Sequence, residues 1–280
     1  MAADFKVVFW GVRGSRPVPG PRTVRFGGNT PSVEIKIGER LLILDAGTGI
    51  CSLGDTLINK KKEIKGDIFI THPHWDHIQG FPFFLPAFKG GNSFNIYGQS
   101  KGDKSFSMIM SSLMDYPNFP VQLEEMKART CFIEIGEDER IDLGDGITIS
   151  TCSTNHPGGC ISYRINYRNK SCAYITDTEH RQEIDADLAQ FIEKSDLVIY
   201  DANFTDQEYQ GKGKLPDRRG WGHSTWQEGI RLVKAAKAKK LALFHHAIFR
   251  TDDQLEKIEK KARNKYPQAF TAREGMEILL

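Results

Sequence analysis

Three imidazoles and a carboxylate crowd into Thr71-His72-Pro73-His74-Trp75-Asp76-His77, directly after an apolar run over residues 64–70. That run, with Asp67-Ile68-Phe69-Ile70 at its end, reads as a buried strand, so the cluster sits where the strand stops and the chain turns into Ile78-Gln79-Gly80. Imidazole and carboxylate suit zinc, manganese or iron, and a strand end holds them more firmly than a mobile loop. The remaining histidines strengthen this reading. Of the eight in the chain, His156, His223, His245 and His246 also fall at or near strand ends, Asp177 follows Ala173-Tyr174-Ile175, and His180 alone looks incidental. Open sheets gather functional side chains at strand ends, so the pattern points to one shared metal site.

The elements that must position these residues come in two batches. Strand-like segments cover residues 5–10, 33–37, 40–44, 67–71 and 94–97, and a second series covers 130–135, 147–151, 161–167, 171–175, 197–200 and 241–244. Helices are expected after Thr48-Gly49, over 76–88, 103–114, 225–237 and 252–265; in the fourth, Ile230, Val233 and Ala236 form an apolar stripe opposite Lys234 and Lys237. Ser224 and Thr225 precede Gln227 and Glu228 at capping-box spacing. Two batches of strands with helices suggest an α+β fold, two sheets face to face with helices outside in four layers. Without a Pro- or Ser-rich linker or a fixed-period repeat, residues 1–280 read as a single domain.

Composition narrows the function. Thirty-eight Lys and Arg against 36 Asp and Glu give a net charge of +2, so no global field argues for nucleic acid or a membrane surface. No apolar stretch approaches the ~20 residues that span a bilayer, and the opening Met1-Ala2-Ala3-Asp4-Phe5-Lys6 lacks the pattern of a signal peptide; a cytoplasmic protein is expected. Five cysteines without a CxxC pair suit reduced core thiols, leaving any metal to nitrogen and oxygen donors.

His72-x-His74-x-Asp76-His77, followed in order by His156, Asp177 and His245/His246, resembles the metallo-β-lactamase fold hydrolases over nearly the whole chain. The resemblance implies an αβ/βα sandwich of two mixed sheets with two divalent metal ions, zinc first, manganese or iron as alternatives. It also implies roles. His72, His74 and His156 would hold one metal, Asp76, His77 and either His245 or His246 the other, and Asp177 would bridge. Asp45, in Leu44-Asp45-Ala46-Gly47, would orient ligands from behind. The di-iron redox branch of the fold usually has Glu where this chain has His74, which argues against oxygen or nitric oxide reduction.

Trp221-Gly222-His223-Ser224-Thr225 resembles the Gly-His-Ser-Thr helix start of the phosphodiesterase branch, which includes RNase Z, and Asp201 stands where RNase Z has a glutamate. Two metals ~3.5–4 Å apart activate a hydroxide and neutralise phosphate charge, and what they lack is a proton for the leaving alkoxide. His223, held by Asp201, is the expected general acid, with Asp76 as the third catalytic residue. Arg13, Ser15, Asn29, Arg219 and Ser224 are candidate substrate contacts; Phe81, Phe83, Phe84 and Phe88 could stack a base, although at least two should be core. The expected function is a binuclear-metal phosphodiesterase acting on a cyclic nucleotide or related small phosphodiester, as a homodimer. The alternatives are tRNA 3′-end processing, lactam or thioester hydrolysis, and a non-enzymatic binding protein. RNase Z grips tRNA with a long Gly/Pro-rich basic arm, and residues 98–127 carry Met and Phe instead of a basic tract.

Overall fold

The computed structural model describes residues 4–60 and 62–280, so residues 1–3 of the opening segment read above lie outside the described residues. The strands are β1 (Phe5–Gly11), β2 (Ser32–Ile37), β3 (Arg40–Leu44), β4 (Lys65–Phe69), β5 (Ser93–Gly98), β6 (Arg129–Glu134), β7 (Arg140–Gly144), β8 (Ile147–Thr154), β9 (Cys160–Tyr167), β10 (Lys170–Ile175), β11 (Leu197–Asp201), β12 (Leu241–Phe244), β13 (Ala269–Thr271) and β14 (Glu277–Leu279). The helices are α1 (Gly49–Ile58), α2 (Trp75–Ile78), α3 (Phe106–Ser111), α4 (Ala186–Phe191), α5 (Asp206–Tyr209), α6 (Trp226–Ala235) and α7 (Asp252–Lys265). They divide into two compact units, each built on a seven-stranded mixed sheet. The α+β class with two mixed sheets is the one expected.

The first unit comprises the chain up to Pro17, Gly28–Gly136 and Glu274–Leu279, with strand order β14-β1-β2-β3-β4-β5-β6. β1, β2 and β3 run antiparallel, and β3, β4, β5 and β6 run parallel. Leu44 pairs with Phe69 across β3 and β4, so Asp45 and the histidine loop leave the sheet at one end. The core under α1 joins Ile43, Ile50, Leu53 and Ile68 with Phe81 and Phe84. Residues 76–88 do not form the single helix expected. α2 gives way to short 3-10 turns at Phe81–Phe83 and Leu85–Phe88, because Pro82 and Pro86 cannot donate to a helical ladder. β6 belongs to this sheet and not, as expected, with the later strands.

The second unit comprises Val18–Gly27 and Glu137–Arg273, with strand order β13-β12-β11-β10-β9-β8-β7. β10, β11, β12 and β13 are parallel, with Ile175 paired to Tyr200 and Asp201 to Phe244. The carboxyl ends of three neighbouring strands therefore deliver Asp177, Asp201 and His245 to one edge. α6 lays Ile230, Val233 and Ala236 into a core with Val198, Tyr200 and Leu243, as its stripe predicts. Its cap is Thr225, whose hydroxyl accepts the Glu228 amide, and α7 starts with a reciprocal capping box of Thr251 and Gln254. Among the described residues no helix is long and apolar enough to cross a membrane.

Candidate metal-binding active site

In the first unit the histidine loop is organised around one carboxylate. Asp45 is fully buried, and its Oδ2 lies 2.8 Å from His77 Nδ1. Its Oδ1 accepts the Thr71 amide at 2.8 Å and the Thr71 hydroxyl at 3.0 Å. A carboxylate only accepts, so the Nδ1 of His77 carries its proton and the Nε2 keeps its lone pair. The Thr71 hydroxyl, its proton given to Asp45, accepts from His72 Nδ1 at 3.1 Å and sets the same tautomer there. The rings of His72 and His74 lie 4.4 Å apart and those of His72 and His77 4.3 Å. Asp76, buried, takes the Ser15 amide at 2.7 Å on the oxygen that lies 3.3 Å from His77 Nε2.

In the second unit the corresponding centre is Asp177. Its Oδ1 lies 3.0 Å from His245 Nε2 and its Oδ2 3.7 Å from His156 Nε2, so the two oxygens face different imidazoles. His156 Nδ1 donates to the Gly222 carbonyl at 2.8 Å, which again leaves Nε2 as the electron-pair donor. Burial holds the His156 imidazole below the ordinary histidine range, against the opposing pull of Asp177, and so favours the neutral ring. Electron-pair donors that face one another need a proton or a metal cation between them, and a set of imidazole and carboxylate donors fits a divalent metal. Asp177, Asp201, His223 and His245 offer ligand atoms all within 4.8 Å of one another.

Asp45, Asp177 and His245 share a backbone signature: φ is +62°, +51° and +56° at these non-glycine residues, each just past a strand end. Left-handed backbone at such positions costs of order 1 kcal/mol and persists where the surroundings enforce it, often at functional sites.

His223 sits beside this centre. Its Nδ1 is 2.9 Å from Asp201 Oδ2 and 4.0 Å from Asp177 Oδ2, and its ring lies 5.0 Å from that of His245. Asp201 is fixed in turn by the amides of Asn203 at 3.0 Å and Thr178 at 3.3 Å. With Nδ1–H given to Asp201, a protonated His223 carries its second N–H at Nε2.

Several sequence candidates take other roles. His246 turns away from Asp177: its Nε2 donates to the Ala272 carbonyl at 2.9 Å and its ring meets Phe26 edge-on, so it leaves the ligand set to His245. Ser224 is fully buried, its hydroxyl between Tyr200 at 3.0 Å and His180 at 2.9 Å, and it cannot contact substrate. Arg219 folds back onto Asp217 two residues away. Asn29 ties Thr48 and the Glu274 carboxylate together, and Arg13 is buried. Phe81 and Phe84 are core, whereas Phe83 is exposed against Phe119.

One organising residue escapes sequence reasoning. Glu179 accepts from Tyr209 hydroxyl at 2.8 Å and from the Gly220 and Gly222 amides at 2.6 and 2.8 Å, clamping the loop that carries both His223 and the carbonyl bound by His156. Gly222 has φ of +81°, and a Cβ there would collide with His156 Nδ1, so the position admits only glycine. The signal was a Gly-rich turn beside His223, but its carboxylate partner lies over forty residues earlier in the chain.

This fold and donor set define a metal-dependent hydrolase, and the chain belongs to the β-lactamase superfamily: the model of the Beta-lactamase superfamily domain matches residues 40–246. Among curated relatives, Ribonuclease Z of Pyrococcus horikoshii is 24% identical over 96% of this chain and 94% of its own. Among solved structures, the metallo-β-lactamase fold protein YhfI from Bacillus subtilis superposes with a TM-score of 0.71 at 21% identity, covering 99% of this chain and 100% of that one. Human tRNase Z, short form, gives 0.66 at 18% identity and covers 98% of each chain.

Proposed function

We propose that this protein is a binuclear-metal phosphodiesterase that cleaves RNA in the manner the names Ribonuclease Z and tRNase Z describe. The observation that carries the chemistry is the His223–Asp201 pair beside Asp177. Alkoxide is a poor leaving group, whereas the thiolate of a thioester leaves without a positioned acid. In the first unit His72, His74, Asp76 and His77 would hold metal, and in the second His156, Asp177 and His245 would. When bound, the metals acidify water and neutralise phosphate charge. Water adds to phosphorus as the ester P–O bond breaks, His223 Nε2–H passes its proton to the leaving oxygen, and the ring recovers a proton from the added water. Asp201 holds the imidazole at the angle this transfer needs.

RNA is preferred to the small cyclic substrate expected from sequence, because the curated relatives that span the chain are named as ribonucleases. One observation favours a small phosphodiester as a second reading. The stretch between β5 and β6, where an arm could extend, is folded inward: Phe106, Met110, Met114 and Met126 are core. The same proposal takes zinc as the resident metal and a homodimer in the cytoplasm as the working form. Precursor tRNA with a 3′ trailer, cyclic mononucleotides and a chromogenic phosphodiester, each given to zinc-loaded and chelated protein, test the reading. Metal-dependent trailer release is expected. Hydrolysis of cyclic nucleotides alone would select the second reading, and no phosphodiester turnover at all would overturn both.

A further inference from the structure

We infer that Trp221, together with Arg218 stacked between two phenylalanine rings, forms a subsite that stacks a nucleobase of the substrate beside His223. The inference rests on the phosphodiester reading above and specifies what the substrate must carry. Trp221 leaves 56% of its surface exposed and Phe249 45%, so two large aromatic side chains stand out of the core on one unit. The Arg218 guanidinium lies 4.9 Å from the Phe204 ring centre and 5.1 Å from that of Phe249, between two aromatic neighbours. Stacking holds a guanidinium in place while its edge can still meet a phosphate.

The display is rigid. The Trp221 amide closes a turn on the Arg218 carbonyl at 3.2 Å, and Glu179 grips the amides on either side of Trp221, those of Gly220 and Gly222. An indole at a loose loop tip would lose stacking energy to ordering; one on a clamped turn has that ordering in place before a ligand arrives. The subsite also adjoins the chemistry. The buried Phe204 ring meets Trp221 at 6.5 Å and His223 at 6.0 Å, so the indole stands one ring away from the proton donor. That reach suits a base on a nucleotide flanking the scissile phosphate. Any of the four bases offers a π-face, so the contact demands a base without choosing among them.

Two measurements on the metal-loaded full-length protein decide it. In the first, tryptophan emission is titrated with adenosine 5′-monophosphate and with ribose 5-phosphate. The nucleotide should quench, the sugar phosphate should not, and Trp221→Phe should remove the quench although Trp10, Trp75 and Trp226 remain. Equal quenching in the variant, or by ribose 5-phosphate, would overturn the subsite. In the second, Trp221→Ala should raise KM for an RNA phosphodiester about 5- to 150-fold, the worth of stacking one base on one aromatic. Trp221→Phe should recover most of that, and the rise should be at least fivefold smaller when the flanking nucleotide is abasic. A fall in kcat at constant KM, or no rescue by Phe, would count against the subsite. A wild-type protein that hydrolyses no phosphodiester would sink the functional reading alone, because the quenching titration would still decide the stacking.

Discussion

Asp45→Asn separates orientation of the metal ligands from stability of the fold. One Asp45 oxygen faces His77 Nδ1 at 2.8 Å, and the other holds the Thr71 amide at 2.8 Å. Asparagine keeps one acceptor, enough for the Thr71 amide, and places an NH2 group where the second oxygen stood. That group donates, so His77 Nδ1 must become an acceptor and the ring proton must move to Nε2, the atom assigned to metal. Loss of such an outer partner lowers metal affinity about 10- to 100-fold, or roughly 1.4–2.7 kcal/mol. The shape is conserved, so urea unfolding of the metal-free variant should stay within about 1 kcal/mol of wild type. Asp45→Ala should behave differently, because it strands the buried His77 Nδ1–H and Thr71 amide, at about 1–3 kcal/mol each, and must lose stability as well as metal. Competition with a chromophoric chelator reads the affinity and urea titration reads the fold. Wild-type metal affinity in Asp45→Asn, or a stability loss as large as that of the alanine variant, would refute the tautomer argument.

His223→Ala should retain full metal content while phosphodiester turnover drops about 10²- to 10⁴-fold, the usual contribution of a positioned acid; turnover equal to wild type would remove that role. Asp177→Ala removes the carboxylate facing both His156 and His245 and should lower metal occupancy itself, as elemental analysis after dialysis will show. Burial raises the Glu208 carboxyl, but the Arg250 hydrogen bond and charge, with the Thr205 amide and hydroxyl, outweigh it and hold it below the ordinary range. A depressed carboxyl stabilises the fold above its unfolded pKa of about 4.3 and loses that contribution as pH falls through the folded value. Glu208→Gln should therefore narrow the gap between urea midpoints at pH 7 and pH 3, and an unchanged gap would exclude this ion pair as a source of acid sensitivity. Cys131 is exposed, whereas burial pushes the Cys152 thiol up to about 11 and raises Cys51 and Cys172. Mass spectrometry after brief alkylation at pH 8 should find Cys131 modified first.

The candidate ligands were legible because apolar runs mark strands and parallel pairing brings their carboxyl ends together, so residues that follow Ile70, Ile175 and Phe244 in sequence are gathered by topology within their own unit. Elements of three residues, such as β13 and β14, are too short to show a period, and the long stretch between β5 and β6 hides that β6 joins the first sheet. Ser224 and Arg219 looked like substrate contacts because a hydroxyl and a guanidinium beside a catalytic histidine suggest it. Their actual partners, Tyr200, His180 and Asp217, are fixed by how the loop folds back. The choice between His245 and His246 fails for a sharper reason. Strand alternation sends successive side chains to opposite faces only while the backbone stays extended, and His245 has φ of +56°. That single left-handed residue resets the alternation where the strand meets the site, turning His245 toward Asp177 and His246 toward Ala272. Asp45 and Asp177 carry the same break, so the conformation that places each of these side chains is one that a two-residue period cannot encode.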